Sequence, residues 1–317
     1  MTEFSNIHQD KVQGRISREE YWEISRSRFE NLEELALFYR SSNITIEISD
    51  GIAWVMYRII ENNEIIYMKL DSQDTRTVPF LLLAEKEYER YQCQIMHKLF
   101  EVSNNFSDIG ANIGFYSLYA TKVAQTLSAI AFEPNSKART LLEGNISKNE
   151  LKTRIKVNPV ALGSENRKNE KMYIPKFTGT GGGSFKKLHP DEENSEINDV
   201  EIMKLDTFAD LNEYQVDIMK IDVEGFEMSV IEGAANVIST FQPTIVIELL
   251  RKWMKPFGYS PQDVLHFLVS LGYVCFEIRD KDLNMIQVID DSTVGNNFVF
   301  VHSKNSSHMQ VIQNFAS

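Results

Sequence analysis

The chain has 317 residues, 43% of them hydrophobic and 25% charged, the balance of a folded protein with a sizeable core. Its net charge of −12 sets the surface against nucleic-acid phosphates and anionic lipid heads, so neither is an expected partner. Cys93 and Cys275 form neither a metal-ligand spacing nor a disulfide framework, residues 1–15 do not read as a signal peptide, and the densest apolar runs fall far short of the ~20 residues of a membrane helix, which together point to the cytoplasm and to no membrane insertion.

Residues 17–39 carry Trp22, Ile24, Phe29, Leu32, Leu35 and Phe38 at intervals of roughly three to four, which predicts an amphipathic helix. Its apolar stripe could pair with a second copy, giving a homodimer. Three short runs rich in branched and aromatic residues follow at 44–48, 53–60 and 65–70, with Ser49-Asp50-Gly51 and Glu61-Asn62-Asn63 as turns between them. They predict a small hairpin or meander; Trp54 and Tyr67, with Trp22 and Tyr39, read as its core, the alternative being the wall of a sugar or acceptor pocket. A second helical pattern covers 85–100. From residue 105 strands and helices alternate. Strands are expected at 106–109, 127–132, 154–158, 216–222, 244–249, 273–278 and 297–302, and helices at 113–124, 136–149, 227–240 and 260–271. Such alternation predicts an α/β fold, a largely parallel sheet with helices on both faces. An insertion at 163–203 holds Thr178 to Ser184, rich in Gly and Thr, and reads as a mobile loop. The expected division is an N-terminal helix and β-hairpin extension at 1–98, a main domain at 99–304 and a polar tail at 305–317 that frays.

In an open parallel sheet, ligands bind beyond the carboxyl ends of the strands. The first main-domain strand ends in Asp108-Ile109-Gly110-Ala111-Asn112-Ile113-Gly114. Gly110 permits a tight turn and Gly114 a helix packed close to the sheet. The spacing is G-x-x-x-G, not the G-x-G-x-x-G of dinucleotide binders, and an acid stands where a pyrophosphate would want bare amides. That suits a cationic ligand such as S-adenosylmethionine, which carries an ammonium and a sulfonium and no phosphate. The second strand ends in Phe132-Glu133-Pro134-Asn135, where Glu133 can accept both ribose hydroxyls and Asn135 can cap the next helix. Residues 158–163, with Ala161, are placed to border an adenine. The fourth and fifth strands end in Asp222, Glu224 and Glu248.

Together these segments resemble the FkbM family of class I methyltransferases: D-I-G-A-N-I-G-F-Y-S (108–117), A-F-E-P-N (131–135), N-P-V-A-L-G (158–163), L-D-T-F (205–208), V-D-I-M-K-I-D-V-E-G-F-E (216–227) with E-G-A (232–234), and P-T-I-V-I-E (243–248). The resemblance covers roughly residues 75–302 and implies a Rossmann-like sheet of seven strands, the last antiparallel. It also implies S-adenosylmethionine as donor and O-methylation of a sugar, glycan or other natural-product hydroxyl. On that basis Asp108, Gly110 and Gly114 cradle the donor's methionine part, Glu133 holds the ribose, Asp222 faces the transferred methyl group, and Asn112, Pro134, Asn135 and Ala161 complete the donor site.

A hydroxyl acceptor must lose its proton, and the candidate bases are Asp222, Glu224, Glu248, His189 and His266. Asp222 and Glu248 end what should be neighbouring strands and could instead hold a divalent cation. His266 also reads as a surface or packed histidine of its helix, and His189 as a solvated residue of the insertion. Two rival readings stand beside the methyltransferase. An oxidoreductase needs a glycine pattern that is not here. An inactive methyltransferase fold serving as a scaffold has no need of acids at four strand ends.

Overall fold

The computed structural model describes residues 11, 13–21, 23–24, 43–71, 74, 77–175, 180–188 and 195–316. The chain divides into two units, Met1–Thr45 and Ile46–Ser317. In the first, the predicted helix starts at Ser17 with a capping box. Ser17 Oγ accepts the Glu20 amide at 3.0 Å, and the Glu20 carboxylate accepts the Ser17 amide at 2.7 Å. Ile24 is half exposed. Trp22 and the rest of the predicted stripe lie outside the described residues, as do Tyr39 and His189.

The three short branched runs are strands β1 (Ile44–Ser49), β2 (Ile52–Arg58) and β3 (Ile65–Lys69), in the order β1-β2-β3. Asp50, Gly51 and Asn63 turn the chain with positive φ, as the turn signals predict. The main chain of β3 is held from outside the small sheet. Asn149 Oδ1 accepts the Tyr67 amide at 3.0 Å and Asn145 Oδ1 the Lys69 amide at 2.9 Å, while Lys148 Nζ sits over the rings of Trp54 and Tyr67.

The helix predicted at 85–100 begins later, as α2 (Arg90–Glu101), and is preceded by a helix that the sequence reading does not predict, α1 (Val78–Glu85). Pro79 starts α1 early. Lys86 and Glu89 then take left-handed backbone conformations, φ 64° and 39°, and break the run. The polar stretch ahead of the first main strand ends α2 and turns. The amides of Asn104 and Asn105 both donate to Asp217 at 2.8 Å.

Then come β4 (Asn105–Ile109), α3 (Phe115–Val123), β5 (Ser128–Phe132), α4 (Ser136–Lys148) and β6 (Ile155–Asn158). The insertion is not a loop. It contributes β8 (Arg167–Ile174) and β9 (Glu196–Met203), which join β7 (Ala161–Leu162), just ahead of it, in a small sheet of order β7-β9-β8. The glycine-rich segment is tied to it, since Tyr173 and Ser184 exchange two main-chain hydrogen bonds of 2.8 and 3.0 Å. After α5 (Leu205–Leu211) and β10 (Ile218–Ile221), the helix predicted at 227–240 breaks at Ala234 into α6 (Glu227–Gly233) and α7 (Ala235–Phe241). Next are β11 (Thr244–Glu248), α8 (Arg251–Met254), α9 (Pro261–Ser270), β12 (Tyr273–Ile278), β13 (Leu283–Ile286) and β14 (Asn297–His302).

The large sheet runs β13-β12-β14-β11-β10-β4-β5-β6. Strands β6, β5, β4, β10 and β11 are parallel, and β14 enters antiparallel between β11 and β12. This is the expected seven-stranded Rossmann-like sheet with an eighth strand, β13, added at the edge of β12. Its core packs Ile109, Phe132, Ile221, Ile247 and Phe298 against helix residues such as Ile231 and Leu265, all buried.

The polar end of the chain does not fray. Ser306–Gln313 form a helix, α10, capped by Asn305. It inserts His308 into the interior, where Nδ1 meets Thr244 Oγ1 at 2.7 Å and Nε2 meets Ser103 Oγ at 3.0 Å. Among the described residues no helix is long and apolar enough to cross a membrane.

Candidate active site

The parallel strands end on one rim, and the predicted acids and glycines are distributed along it. Gly110 follows β4 with φ 81°, and a Cβ there would come within 1.9 Å of the Asp222 carbonyl oxygen, so only glycine lets the turns after β4 and β10 touch. At Gly114, φ 89°, a Cβ would meet Leu142 Cδ1 at 2.2 Å, so the glycine admits a side chain of α4, where the sequence predicts close packing on the sheet.

Asp108 is almost wholly buried and lies behind this turn. Its Oδ2 accepts the Ser117 amide at 3.0 Å and the Ser117 hydroxyl at 2.7 Å, and burial pushes its carboxyl up. It braces the start of α3 and is not among the residues walling the cleft. Gly110, Asn112, Glu133, Pro134 and Ala161 do wall it, together with Asp222 and Glu224. The cleft encloses about 680 Å³, part of it open to solvent.

Glu133 sits at the end of β5. Its two oxygens accept the amides of Asn112 at 2.7 Å and Asn135 at 2.8 Å, and burial pushes the carboxyl up to about 7. Each carboxylate oxygen has a further lone pair, so both can still accept a hydroxyl. Asn135 caps α4 as predicted: its Oδ1 accepts the Lys137 amide at 3.0 Å. Its Nδ2 donates to the Thr180 carbonyl at 3.3 Å. Thr180 and Gly181–Gly183, from the insertion, close one side of the cleft with Phe185 and Met172. The Thr180 hydroxyl stands 2.7 Å from Asp74 Oδ2 and 2.9 Å from Asn112 Oδ1. Ser184 donates to the Glu224 carbonyl at 2.8 Å. Phe185 packs against Phe226 with ring centres 4.8 Å apart and planes tilted by 52°, and Val160, Ala161 and Leu162 lie among the walls. The cleft therefore has an apolar end and an acidic end.

The acidic end is built around a residue the sequence reading passed over. Lys220, within fully buried β10, places Nζ 2.7 Å from Asp222 Oδ2 and 4.8 Å from the centre of the Tyr116 ring. Burial works to lower Lys220, and the carboxylates of Asp222, Glu89 and Asp108 overcome it, so the ammonium is held above its ordinary range. Burial works to raise Asp222, and the Lys220 ammonium with hydrogen bonds from Lys220 and Glu248 holds it below the ordinary range instead. Glu248 is pushed up to about 9 by burial and by Asp222, and so carries the proton between them at neutral pH. Glu89 joins the cluster from the α1–α2 turn. It accepts from the Tyr116 hydroxyl and from Gln92 Nε2 at 2.7 Å, and burial raises it. The signal for Lys220 was legible: a lysine inside an apolar strand requires a carboxylate partner.

Asp222 and Glu248 come side by side as expected, and the Lys220 ammonium stands 2.7 Å from Asp222 Oδ2, on the side where a shared cation would need that oxygen. Among the described residues no group of three or more His, Cys, Asp or Glu side chains is arranged to hold a metal ion. Glu224 walls the cleft with a left-handed backbone, φ 54°. His266 is on the surface of α9, 2.6 Å from Gln262 Nε2, and is absent from the cleft walls.

Residues 108–275, more than half of the chain, match the family described as the Methyltransferase FkbM domain. Methyltransferase sdnD of Sordaria araneosa is 26% identical over 187 residues, 49% of this chain and 68% of that protein. The AMB antimetabolite synthetase AmbE of Pseudomonas aeruginosa is 25% identical over 174 residues, 45% of this chain and 8% of that much longer protein. A crystal structure of a methyltransferase FkbM from Methylobacillus flagellatus aligns with a TM-score of 0.42 at 15% identity, over 73% of this chain and 55% of that one.

Proposed function

From the membership of this chain in the FkbM methyltransferase family, we propose that it moves a methyl group from S-adenosylmethionine to a hydroxyl oxygen of a sugar, glycan or other small natural product. The observation that carries the reading is the convergence of Gly110, Asn112, Glu133 and Asp222 on one cleft with an apolar far end. Glu133 offers both oxygens to a ribose diol. Val160, Ala161 and Phe226 offer a dry bed for a purine. Asp222, kept ionised by Lys220, offers negative charge to a sulfonium or ammonium.

When bound, the donor supplies an already activated methyl group, so the chain's contribution is alignment, charge placement and exclusion of water. Asp108 fixes the start of α3 through Ser117 and thereby the turn at Gly110. Thr180 and Phe185 cover the cleft from the insertion and limit the access of water.

Calorimetric titration with S-adenosylhomocysteine tests the reading. Wild type should bind one equivalent, and Glu133→Ala should weaken binding about tenfold or more, as expected when one charge-assisted hydrogen bond to the ligand is lost. No heat from the wild type would favour a scaffold, and unchanged affinity in Glu133→Ala would refute the ribose assignment.

A further inference from the structure

A second opening lies on the same rim, toward the antiparallel edge of the sheet. Its walls are the approach to α2 (85–94), the turn between β12 and β13 (278–282) and the segment leading into β14 (294–297). Of these described walls only Tyr91, Ile278 and Val294 are apolar; the rest are carboxylates, cations, amides and one glycine. An apolar ligand would leave those groups without water or partners, whereas a molecule rich in hydroxyls can both donate to them and accept from them.

Two of the walls reach inward. Gln92 is 3% exposed, and its Nε2 is engaged by Glu89 Oε2 at 2.7 Å and the Tyr116 hydroxyl at 2.6 Å. Its Oε1 is buried and has no hydrogen-bond partner among the described residues. A buried amide oxygen without a donor calls for one. Glu89 is held at φ 39°, a strained conformation for glutamate, and bonds Tyr116. Tyr116 lies under Lys220, which is paired with Asp222 on the wall of the donor cleft. From the other side, Glu248 stands in register with Asn297 of the groove. The two openings are thus joined by one polar chain.

We infer that this groove takes the methyl acceptor, that the acceptor is a multiply hydroxylated molecule, and that Glu89 and Gln92 hold the reacting hydroxyl. The inference rests on the methyltransferase reading above. As the O–CH3 bond forms and the S–CH3 bond breaks, the bonding pair stays on sulfur, leaving a neutral thioether, and the hydroxyl proton passes to the Glu89 carboxylate. Asp222 is a poor proton acceptor because the Lys220 ammonium stands 2.7 Å from its carboxylate, whereas Glu89 lines the groove itself beside Gln92 and can meet the hydroxyl there.

The full-length protein is tested with S-adenosylmethionine against methyl α-glucopyranoside, N-acetylglucosamine and sucrose, and against a long-chain secondary alcohol, with methylated product read by mass spectrometry. S-adenosylhomocysteine affinity is measured in parallel by calorimetry. The expected result is methylation of at least one saccharide, a loss of tenfold or more in kcat for Glu89→Gln, a rise of fivefold or more in KM for Gln92→Leu, and donor affinity within twofold of wild type in both variants. Methylation of the alcohol alone, or of nothing while the donor analogue binds, overturns the inference. So does a matching fall in donor affinity in the variants, which would place Glu89 and Gln92 in the donor site. Failure of wild type to bind the donor analogue would instead defeat the underlying methyltransferase reading.

Discussion

Replacing Lys220 by methionine keeps most of the side-chain volume and deletes one charge from the centre of the site. The Lys220 side chain is 7% exposed and that of Asp222 26%, and the pair lies 2.7 Å apart with Glu89 and Asp108 as further acids nearby. Removing one partner of a buried ion pair costs about 3–5 kcal/mol because the other charge is left uncompensated. Asp222 reaches solvent in part, so the lower end applies, about 3 kcal/mol. In a unit of this size that loss lowers the melting temperature by about 6–12 °C. Urea unfolding of Lys220→Met, Asp222→Asn and the double variant closes a cycle. With the partner charge gone, Lys220→Met should cost less in the Asp222→Asn background by at least about 1.5 kcal/mol. A single-variant loss below about 1 kcal/mol, or an undiminished loss in the double variant, would mean that the ammonium does not hold the acidic cluster together.

Gly110→Ala combines a left-handed backbone with a Cβ driven into the Asp222 carbonyl, so it should destabilise the fold by about 2 kcal/mol or more and abolish the calorimetric signal of S-adenosylhomocysteine. His308→Gln should cost about 1–3 kcal/mol at pH 8, as buried partners at Thr244 and Ser103 lose their fit. Burial lowers the pKa of His308 from its ordinary 6.5, so its stabilising contribution is present above that value and fades as the pH falls further; the stability difference between wild type and His308→Gln should shrink toward pH 5. Glu227 behaves in the opposite sense. Burial pushes it up to about 7 from an ordinary 4.5, so the folded state keeps a proton that the unfolded state has lost, and its contribution declines between about pH 4.5 and 7. Urea midpoints of Glu227→Gln relative to wild type should therefore improve across that interval; a flat difference would refute the burial argument.

The sequence spoke most clearly where a single residue type has a single local consequence. The turn at Gly110 and the cap at Asn135 were legible because glycine and asparagine act on their own few neighbours. The strands of the main sheet were legible because apolar runs alternate with helical periods. What escaped depends on distance. Residues 167–174 and 196–203 form β8 and β9 as a largely exposed ribbon, so charged residues crowd along them, as at 167–171, and hide the apolar strand pattern. The break at 86–89 places Glu89 against Tyr116 and near Lys220, three residues that share no motif and meet only when α2 packs on α3 and β10 is in place. Asp108 was read as facing the ligand, but a carboxylate within reach of the Ser117 amide and hydroxyl is satisfied inside the protein.

Placing β14 between β11 and β12 makes the order of synthesis matter. Residues 244–248 and 273–278 are synthesised before 297–302, and each keeps a raw hydrogen-bonding edge until the strand that separates them arrives. A nascent or prematurely terminated chain that ends ahead of Asn297 is thus committed to a half-built sheet whose nearest available partners are its own two edges or those of another chain. Such products should aggregate or recruit chaperones rather than persist as a smaller working enzyme.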